Sequence, residues 1–461
     1  MKAGSHSMPA VHCEASATLH LVQIEVSPAH PLLGLKRALP WEVITDVMTR
    51  QWRQNGKNVD GGRGLPWDVS LYVPLVVLML IKGFDSRQME AYVAENVVAR
   101  VFIGRQREVK AQIRDHSNIA RAYAALGKAG IDEVNRLVVQ EAHRFGFVDE
   151  GSLSADTTAQ ELPIGYPNEP GILRGLAQRC GRALTQLQKR GVQRLGGALR
   201  QVQTILRSVK EHHLFTSGKA DKRQVLSRIM REVGDLMVQT RPLVERLATR
   251  SERVIQRARS RLMAMHEVIK PLIGQIVHWL TTGKVAANKI IPVGIPQARA
   301  IVHNKAGKKT EFGLAYLLSR LGGGYLFGER ITANADERQM PLKALARYRA
   351  IFGQEATPEF MVYDRGGDST ATRQRLASEG VKDVGIQPKG KRPWSVAEAV
   401  REQIRSEGGR TEGCIGTLTS NRYRFNKPKE RLWQTLEMAG PRSILSFNLN
   451  KLMRDVVALV Q

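Results

Sequence analysis

Apolar residues recur at helical spacing between residues 29 and 148. The strongest apolar run covers residues 73–81 and ends before Gly83. A second stretch has Ser117 in position to cap a helix and a glycine turn that begins at Gly127. This pattern predicts two pairs of helices, each joined by a short turn that contains glycine. Such pairs are compatible with helix-turn-helix DNA binding and equally with any other helical bundle.

The helical period continues over residues 171–290. The apolar positions there indicate long amphipathic helices, each with one buried face. These positions include Ile229, Val233, Leu236, Leu243, Leu247, Val254, Ala258, Leu262, Met265 and Ile269.

Strand-like patterns lie on both sides of this helical stretch. Before it, residues 151–164 are rich in threonine, partly alternate in polarity, and carry Asp156. After it, the apolar run 360–363 ends on Asp364, and two glycines follow at positions 366 and 367. An aspartate before two glycines is often only a turn or capping residue. At the carboxyl end of a strand in an α/β sheet, it also stands where ligands bind.

Basic residues outnumber acidic residues by a wide margin. The chain of 461 residues contains 70 Lys and Arg against 43 Asp and Glu, a formal net charge of +27. Residues 171–290 hold 24 Lys and Arg against 7 Asp and Glu. Because protein surfaces usually mix both signs, this excess favours a polyanionic partner. Nucleic acid is the first candidate and an anionic membrane surface is the second.

Four other classes of protein fit the sequence poorly: membrane-spanning proteins, secreted proteins, disulfide frameworks and Cys/His zinc proteins. The longest strongly apolar run has nine residues, whereas a membrane-spanning helix needs about 20. The first twenty residues contain no continuous apolar segment of the signal-peptide kind, so we expect a cytoplasmic protein. Cys13, Cys180 and Cys414 lie far apart and lack CxxC or paired histidine spacing. This spacing argues against a disulfide framework and against a Cys/His zinc site.

The predicted elements follow a simple order once the basic helical stretch is set aside. The order begins with the strand that carries Asp156, followed by two or three further strands and a helix. The strand that ends on Asp364 comes next, and after it come a helix, a strand and further helical segments. This order resembles the RNase H-like fold. Bacterial insertion-sequence transposases with an Asp-Asp-Glu triad have motifs similar to stretches found from His30 onward. These stretches are HPLLGLKRALPW, DHSNIAR, ADTTAQELPIGYPNEPGIL, KAGKKTEFG, VYDRGG and RTEGCIGTLTSNRYRFNKPKERLW.

The resemblance implies an α/β (α+β) multidomain protein. Its RNase H-like mixed-sheet catalytic core would be interrupted by a long basic helical insertion and preceded by an all-α domain. The implied parts are an amino-terminal extension (1–28), a helical DNA-binding domain (29–148), the catalytic domain (149–174 and 291–435), the basic insertion (175–290) and a carboxyl-terminal helix (436–461).

The resemblance also implies that Asp156, Asp364 and Glu412 form the catalytic, metal-binding triad. The chemistry gives an independent reason for three carboxylates. Phosphodiester cleavage by two Mg²⁺ or Mn²⁺ ions needs oxygen ligands, and the ions activate the attacking oxygen and stabilise the leaving one. Glu398, Glu402 and Glu407 also lie nearby, but two glycines follow Glu407, where we expect a helix break. Glu412 would open the next helix, and we therefore favour it as the third ligand.

Basic residues near these acids and on the long helices are candidate phosphate contacts. They are Arg365, Arg410, Arg422, Arg424 and Lys427 near the acids, and Arg250, Arg253, Arg257 and Arg261 on the helices. Tyr423 is available to stack on a base or to pack internally. Lys305, Lys308 and Lys309 resemble a basic turn of the transposase family.

The function implied by the resemblance is that of a metal-dependent DNA transposase. It would bind the terminal inverted repeats of a mobile element, cleave the DNA and join the cut end to target DNA. The expected partners are double-stranded DNA and a second copy of the chain, in the bacterial cytoplasm. Two alternatives stay open: an RNase H-like nuclease without strand transfer, and a non-catalytic DNA-binding protein derived from a transposase.

Overall fold

The computed structural model describes most of the chain, with short gaps. The described residues are 25–60, 67–106, 115–302, 310–332, 335–390, 393–394, 396–430 and 432–459. Within these ranges the protein is a mixed α/β structure in which six strands form one sheet and helices make up most of the remainder.

The first part of the described chain is helical, as its apolar pattern predicts. Its helices are α1 (Pro31–Ala38), α2 (Trp41–Gln54), α3 (Val69–Lys82), α4 (Ser86–Glu95), α5 (Val97–Phe102) and α6 (His116–Arg144). Gly83 ends α3 in the left-handed conformation at φ 64°, and Asp85 caps α4. The cap of α6 is Asp115, which accepts a hydrogen bond from the Ser117 backbone N–H, so the predicted Ser117 cap is wrong. The predicted turn at Gly127 is present as a sharp kink within α6.

No single helix among the described residues is both long and apolar enough to cross a membrane. Helices α3 and α4 meet that length and composition only when taken together, and they bend by 104° at the break between them.

The sheet is formed by strands that lie far apart in the sequence. The strands are β1 (Asp149–Glu161), β2 (Arg299–Val302), β3 (Thr310–Gly322), β4 (Leu326–Ile331), β5 (Phe360–Tyr363) and β6 (Asp383–Ile386). Their order across the sheet is β2-β3-β1-β5-β6. Strand β4 also pairs with β3, and it uses residues of β3 that follow those paired with β2. Strand β1 runs antiparallel to β3 and parallel to β5, and β5 runs parallel to β6.

Four long helices are inserted between β1 and β2, as predicted. They are α7 (Glu169–Gln188), α8 (Gly196–Leu214), α9 (Lys219–Arg246) and α10 (Arg253–Thr282). Their apolar faces form a hydrophobic core of their own, distinct from the cores that cover the sheet. All the predicted buried positions belong to this core except Val254, which is half-buried.

The remaining helices pack on the two faces of the sheet. They are α11 (Met340–Phe352), α12 (Thr370–Ser378), α13 (Glu398–Thr419), α14 (Trp433–Leu436) and α15 (Ala439–Ala458). Helix α13 runs without interruption through Gly408 and Gly409, so the predicted break there is wrong. Contacts on both sides of the glycine pair, from Ile404 and Thr411, hold the helix against the sheet and outweigh the roughly 1 kcal/mol that each glycine costs.

Helices α1–α6 share one apolar core with one face of the sheet. This core contains Leu153 of β1, Leu317 of β3, and side chains of α11 and α15. Buried polar groups of α15 bind the first helices directly: Ser446 donates to the Leu80 carbonyl at 2.7 Å, and the Asn450 amide donates to the Ile81 carbonyl at 2.9 Å. The predicted domain boundary near residue 148 stays a prediction.

We expect Gly127→Ala to lower the free energy of unfolding by about 1–3 kcal/mol, because φ 67° and ψ 176° are accessible almost only to glycine. Thermal and urea unfolding would measure the change. Gly234→Ala inside α9 is the matched control, since a Cβ meets nothing within 4 Å at either position. That control should instead gain up to about 1 kcal/mol. Equal effects at both glycines would contradict the assignment of strain to the kink.

Candidate active site

The pairing of β1 with β5 brings Asp156 and Asp364 together. The parallel register sets Ser152 beside Phe360 and Ser154 beside Val362. Continued by two residues, it places Asp156 beside Asp364 at the carboxyl end of β5. Side chains alternate between the faces of a strand. Because Leu153 faces the core shared with α1–α6, Asp156 lies on the opposite face, toward α13.

Asp364 is held by the short turn that follows β5. Its Oδ1 accepts a hydrogen bond from the Gly366 backbone N–H at 2.8 Å, and its side chain is exposed. The two glycines after it leave room for close neighbours, because a Cβ on Gly367 would collide with the Tyr363 ring and a Cβ on Gly366 would displace the Glu337 carboxylate. The glycine pair therefore allows the turn to fold back tightly on its neighbours. The sequence pattern did not indicate Glu337 as one of them.

Helix α13 is anchored to the sheet by polar contacts beneath Glu412. The Thr411 hydroxyl donates to Ser154 Oγ at 2.7 Å. One turn earlier, Glu407 forms an ion pair with Arg320 of β3, and both side chains are only 7% exposed. Glu412 follows Thr411 directly and is exposed. Glu407 is thus a structural anchor, and Glu412 is the glutamate that this anchoring presents to solvent beside β1.

Asp156, Asp364 and Glu412 line one cleft of about 410 Å³. The structure therefore brings together three acids that are separated by as many as 256 residues in the sequence. The cleft is also lined by Arg365, Arg405, Gln387 and Trp394. Arg405 and Trp394 were not indicated by the sequence pattern, because each reaches the cleft only through the packing of α13 against the sheet.

Tyr363 lies beneath the acids and also lines the cleft. Burial raises the pKa of its hydroxyl, and the negative charge of Asp364 raises it further. Tyr363 therefore keeps its proton to a higher pH than an ordinary tyrosine does.

The donor set of the cleft fits a hard divalent cation. Carboxylate oxygens are the ligands that Mg²⁺ and Mn²⁺ prefer, and the three acids open onto the same space. Among the described residues, no group of three or more His, Cys, Asp or Glu side chains is close enough to hold a metal ion in the present arrangement. Asp364 and Glu412 are both exposed, so side-chain rotation alone can change their separation.

The five candidate phosphate contacts near the acids differ in whether they line the cleft and in whether they already bind another side chain. Arg365 is exposed and lines the cleft. Arg410 pairs with Glu407, and Arg422 donates to Asn450 Oδ1 at 2.8 Å. Arg424 and Lys427 lie in the turns after α13, with φ values of 53° and 51°. Only Arg365 of these five lines the cleft. Tyr423 is buried and packs on Phe447, and Lys305, Lys308 and Lys309 lie outside the described residues.

The candidate contacts on the inserted helices lie mostly along one face of α10. Arg253, Arg257 and Arg261 are exposed and follow each other at intervals of four residues, which places them on the same side of the helix. Arg261 donates to Gln186 Oε1 at 2.7 Å. Arg250 precedes the helix and pairs with Glu252.

Comparisons of this chain with protein-family models, with curated proteins and with solved structures find no match.

We expect Glu407→Gln to destabilise the protein by about 3–5 kcal/mol, because Arg320 would remain buried without its carboxylate. Chemical unfolding monitored by circular dichroism would measure the loss. Glu402→Gln, at an exposed position of the same helix, should change stability by less than about 0.5 kcal/mol. An unchanged unfolding midpoint for Glu407→Gln would show that the ion pair does not hold α13 on the sheet.

Proposed function

We propose that this protein is a DNA transposase that cleaves phosphodiester bonds and joins the cut end to target DNA, with Asp156, Asp364 and Glu412 as its catalytic acids. The observation that carries the proposal is the shared cleft of these three side chains. The same acids are those assigned by the resemblance of the sequence motifs to Asp-Asp-Glu transposases. The sequence motifs and the geometry of the cleft are independent observations, and both support the same three acids as the active site.

The sheet supports an RNase H-like core for this proposal. Three antiparallel strands, β1, β3 and β4, continue into two strands parallel to β1, which is the order expected of that fold. The two aspartates lie on β1 and directly after β5, at the middle of the sheet. Ligands of α/β sheets bind beyond the carboxyl ends of such strands.

Each group of the cleft has a role in the proposed reaction. Asp156, Asp364 and Glu412 would hold the divalent ions, which when bound activate the attacking oxygen and stabilise the leaving oxygen. Arg365 and Arg405 are exposed at the same cleft and would bind phosphate oxygens on either side of the scissile bond.

The positive charge of the inserted helices supports DNA as the substrate. The excess of Lys and Arg is spread over residues 171–290, and on α10 the exposed Arg253, Arg257 and Arg261 form one row. Such a row contacts phosphates without reading sequence. In the proposed protein these helices supply nonspecific affinity, and the helices that precede β1 supply recognition of the element ends.

We expect Asp364→Asn, Asp156→Asn and Glu412→Gln each to reduce DNA cleavage by orders of magnitude, because each removes an anionic ligand while nearly preserving shape. DNA binding should persist or strengthen, since a negative charge near the phosphates is lost. The assay would use linear duplexes that carry the inverted repeats flanking the coding region, with Mg²⁺ or Mn²⁺. Glu402→Gln is the matched control on α13 and should cleave normally.

Near-normal cleavage by Asp364→Asn would exclude the triad. Cleavage without joining to target DNA would favour the nuclease alternative, and DNA binding without any cleavage by the unaltered protein would favour the non-catalytic one. Thermal unfolding of each variant would separate loss of chemistry from loss of fold. Removing one carboxylate from a cluster should leave the unfolding midpoint unchanged or slightly raised.

We also expect the variant with Arg253→Gln, Arg257→Gln and Arg261→Gln to show a shallower dependence of duplex binding on salt. Each lost phosphate contact should reduce the slope of log affinity against log salt by about 0.9. Anisotropy titrations at several salt concentrations would measure the slope. Arg250→Gln is the single-site comparison and should have little effect, because Arg250 is paired with Glu252. An unaltered slope in the triple variant would make α10 a scaffold.

A further inference from the structure

A second cleft, of about 950 Å³, lies where the inserted helices join the sheet. Its walls are α7, α8, the segment 164–168 after β1 and the segment 291–294 before β2. Five basic side chains line it, namely Arg174, Arg179, Arg182, Lys210 and His213, and no Asp or Glu is found among its described lining residues. We define these five residues and their walls as the arginine cleft.

The basic residues of the arginine cleft are not neutralised by the protein. Within the described part of the chain, none of the five forms an ion pair with a carboxylate. The nearby Glu169, at the start of α7, pairs with Lys289 instead. Arg250 on the neighbouring surface, by contrast, has its own carboxylate partner in Glu252. Unpaired guanidinium groups that converge in a concave site indicate an anionic ligand.

Arg179 is the residue most constrained by the walls. A Cβ on Gly294 would collide with the Arg179 guanidinium, so glycine at this position leaves the space that the guanidinium occupies. Partial burial lowers the pKa of Arg179, and the positive charges of Arg182 and Arg261 lower it further. The protein thus holds like charges close together, and a bound anion would relieve their repulsion.

An exposed aromatic ring stands at the same cleft. Tyr166 is 85% exposed, and its ring is braced edge-on by Phe312 at a centroid distance of 5.8 Å. Leu214 also lines the cleft and is 62% exposed. A positively charged groove with an accessible aromatic ring is the arrangement that binds unpaired nucleic-acid strands, because backbone phosphates meet the cations while bases stack on the ring.

We propose that the arginine cleft binds a single-stranded segment of DNA, with phosphates on Arg174, Arg179 and Arg182 and a base stacked on Tyr166. A duplex cannot offer an unpaired base to the ring, and a cleft below ~1,000 Å³ is of a size that takes small ligands or a few nucleotides. The identity of this strand rests on the proposed function. In a transposase it would be a strand that has separated from its complement at a cut or distorted end of the element.

The distance to the carboxylate cleft is compatible with one strand occupying both sites. Tyr166 follows Asp156 by ten residues, half of them within β1. Fully extended chain advances at most ~3.6 Å per residue, so the two residues are at most about 36 Å apart. Stacked DNA advances ~3.4 Å per nucleotide along the axis, so a strand of about ten nucleotides or fewer would cover this distance, fewer where the strand is extended.

The test compares binding of fluorescein-labelled oligothymidylate, about 20 nucleotides long, with binding of a duplex of the same length to the full chain. In the absence of Mg²⁺ no cleavage interferes with the measurement. Arg179→Gln with Arg182→Gln should weaken single-strand binding about tenfold or more and duplex binding less than about threefold. Lys219→Gln with Arg223→Gln on α9 removes the same charge from exposed positions outside the cleft and should change neither more than about twofold.

Two further variants separate the cleft from general charge. Tyr166→Ala should weaken single-strand binding roughly tenfold, and Tyr166→Phe should restore it, because stacking needs the ring and not the hydroxyl. Gly294→Ala leaves the net charge unchanged and should also weaken single-strand binding by displacing Arg179. Unfolding midpoints would establish that each variant is folded.

Equal losses of single-strand affinity in the Arg179/Arg182 and Lys219/Arg223 variants would overturn the proposal. So would equal losses of single-strand and duplex affinity in the Arg179/Arg182 variant. Unchanged single-strand binding by Tyr166→Ala would overturn it as well. The outcome is independent of the triad variants. A chain that binds single strands through this cleft but never cleaves DNA would support this inference and contradict the proposed transposase function. Cleavage that does not depend on Tyr166 or on the cleft arginines would support the transposase function and contradict this inference.

Discussion

The parallel pairing of β1 with β5 is the constraint on which the candidate active site depends. Only three residue pairs define it, from Ser152–Phe360 to Ser154–Val362, yet it joins parts of the chain about 200 residues apart. Strand β1 is fixed by its long pairing with β3, so a slip of β5 by one residue would turn Asp364 to the opposite face of the sheet. The register is supported from outside the strands as well, since the Tyr348 hydroxyl of α11 donates to the Glu150 carbonyl at 3.0 Å.

The third acid depends on a different kind of contact. Helix α13 meets the sheet through polar side chains, the Arg320–Glu407 ion pair and the Thr411–Ser154 hydrogen bond, which lie under the exposed carboxylates. Burying an ion pair is costly unless both partners remain matched, so this contact defines one position of the helix better than an apolar contact would. Functional groups placed on rigid elements with such support are held more accurately than groups on loops.

The inserted helices can carry an unusual charge because their buried faces pack mainly on each other. Their apolar faces close on each other in a separate core, which leaves the outward faces free to be basic. Opposite charges are thereby segregated: carboxylates converge in one cleft and unpaired arginines in another. A polyanion bound across both would meet attraction at the arginines, while the acids near it would need cations to lower their repulsion.

Local pattern in the sequence was sufficient for most of the secondary structure. The long helices, the kink at Gly127, the strand with Asp156 and the strand before Asp364 follow from periodicity and from glycine, because these signals act over a few residues. Tertiary structure decided the rest. Helix α13 continues through two glycines because Arg320, distant in sequence, pairs with Glu407. Tyr423 is buried because α15, which carries Phe447, packs over it, and the arginine cleft is formed only when α7, α8 and residues 291–294 meet. Contacts between residues far apart in the chain leave no periodic trace in the sequence, so their positions are set only when the sheet and helices pack.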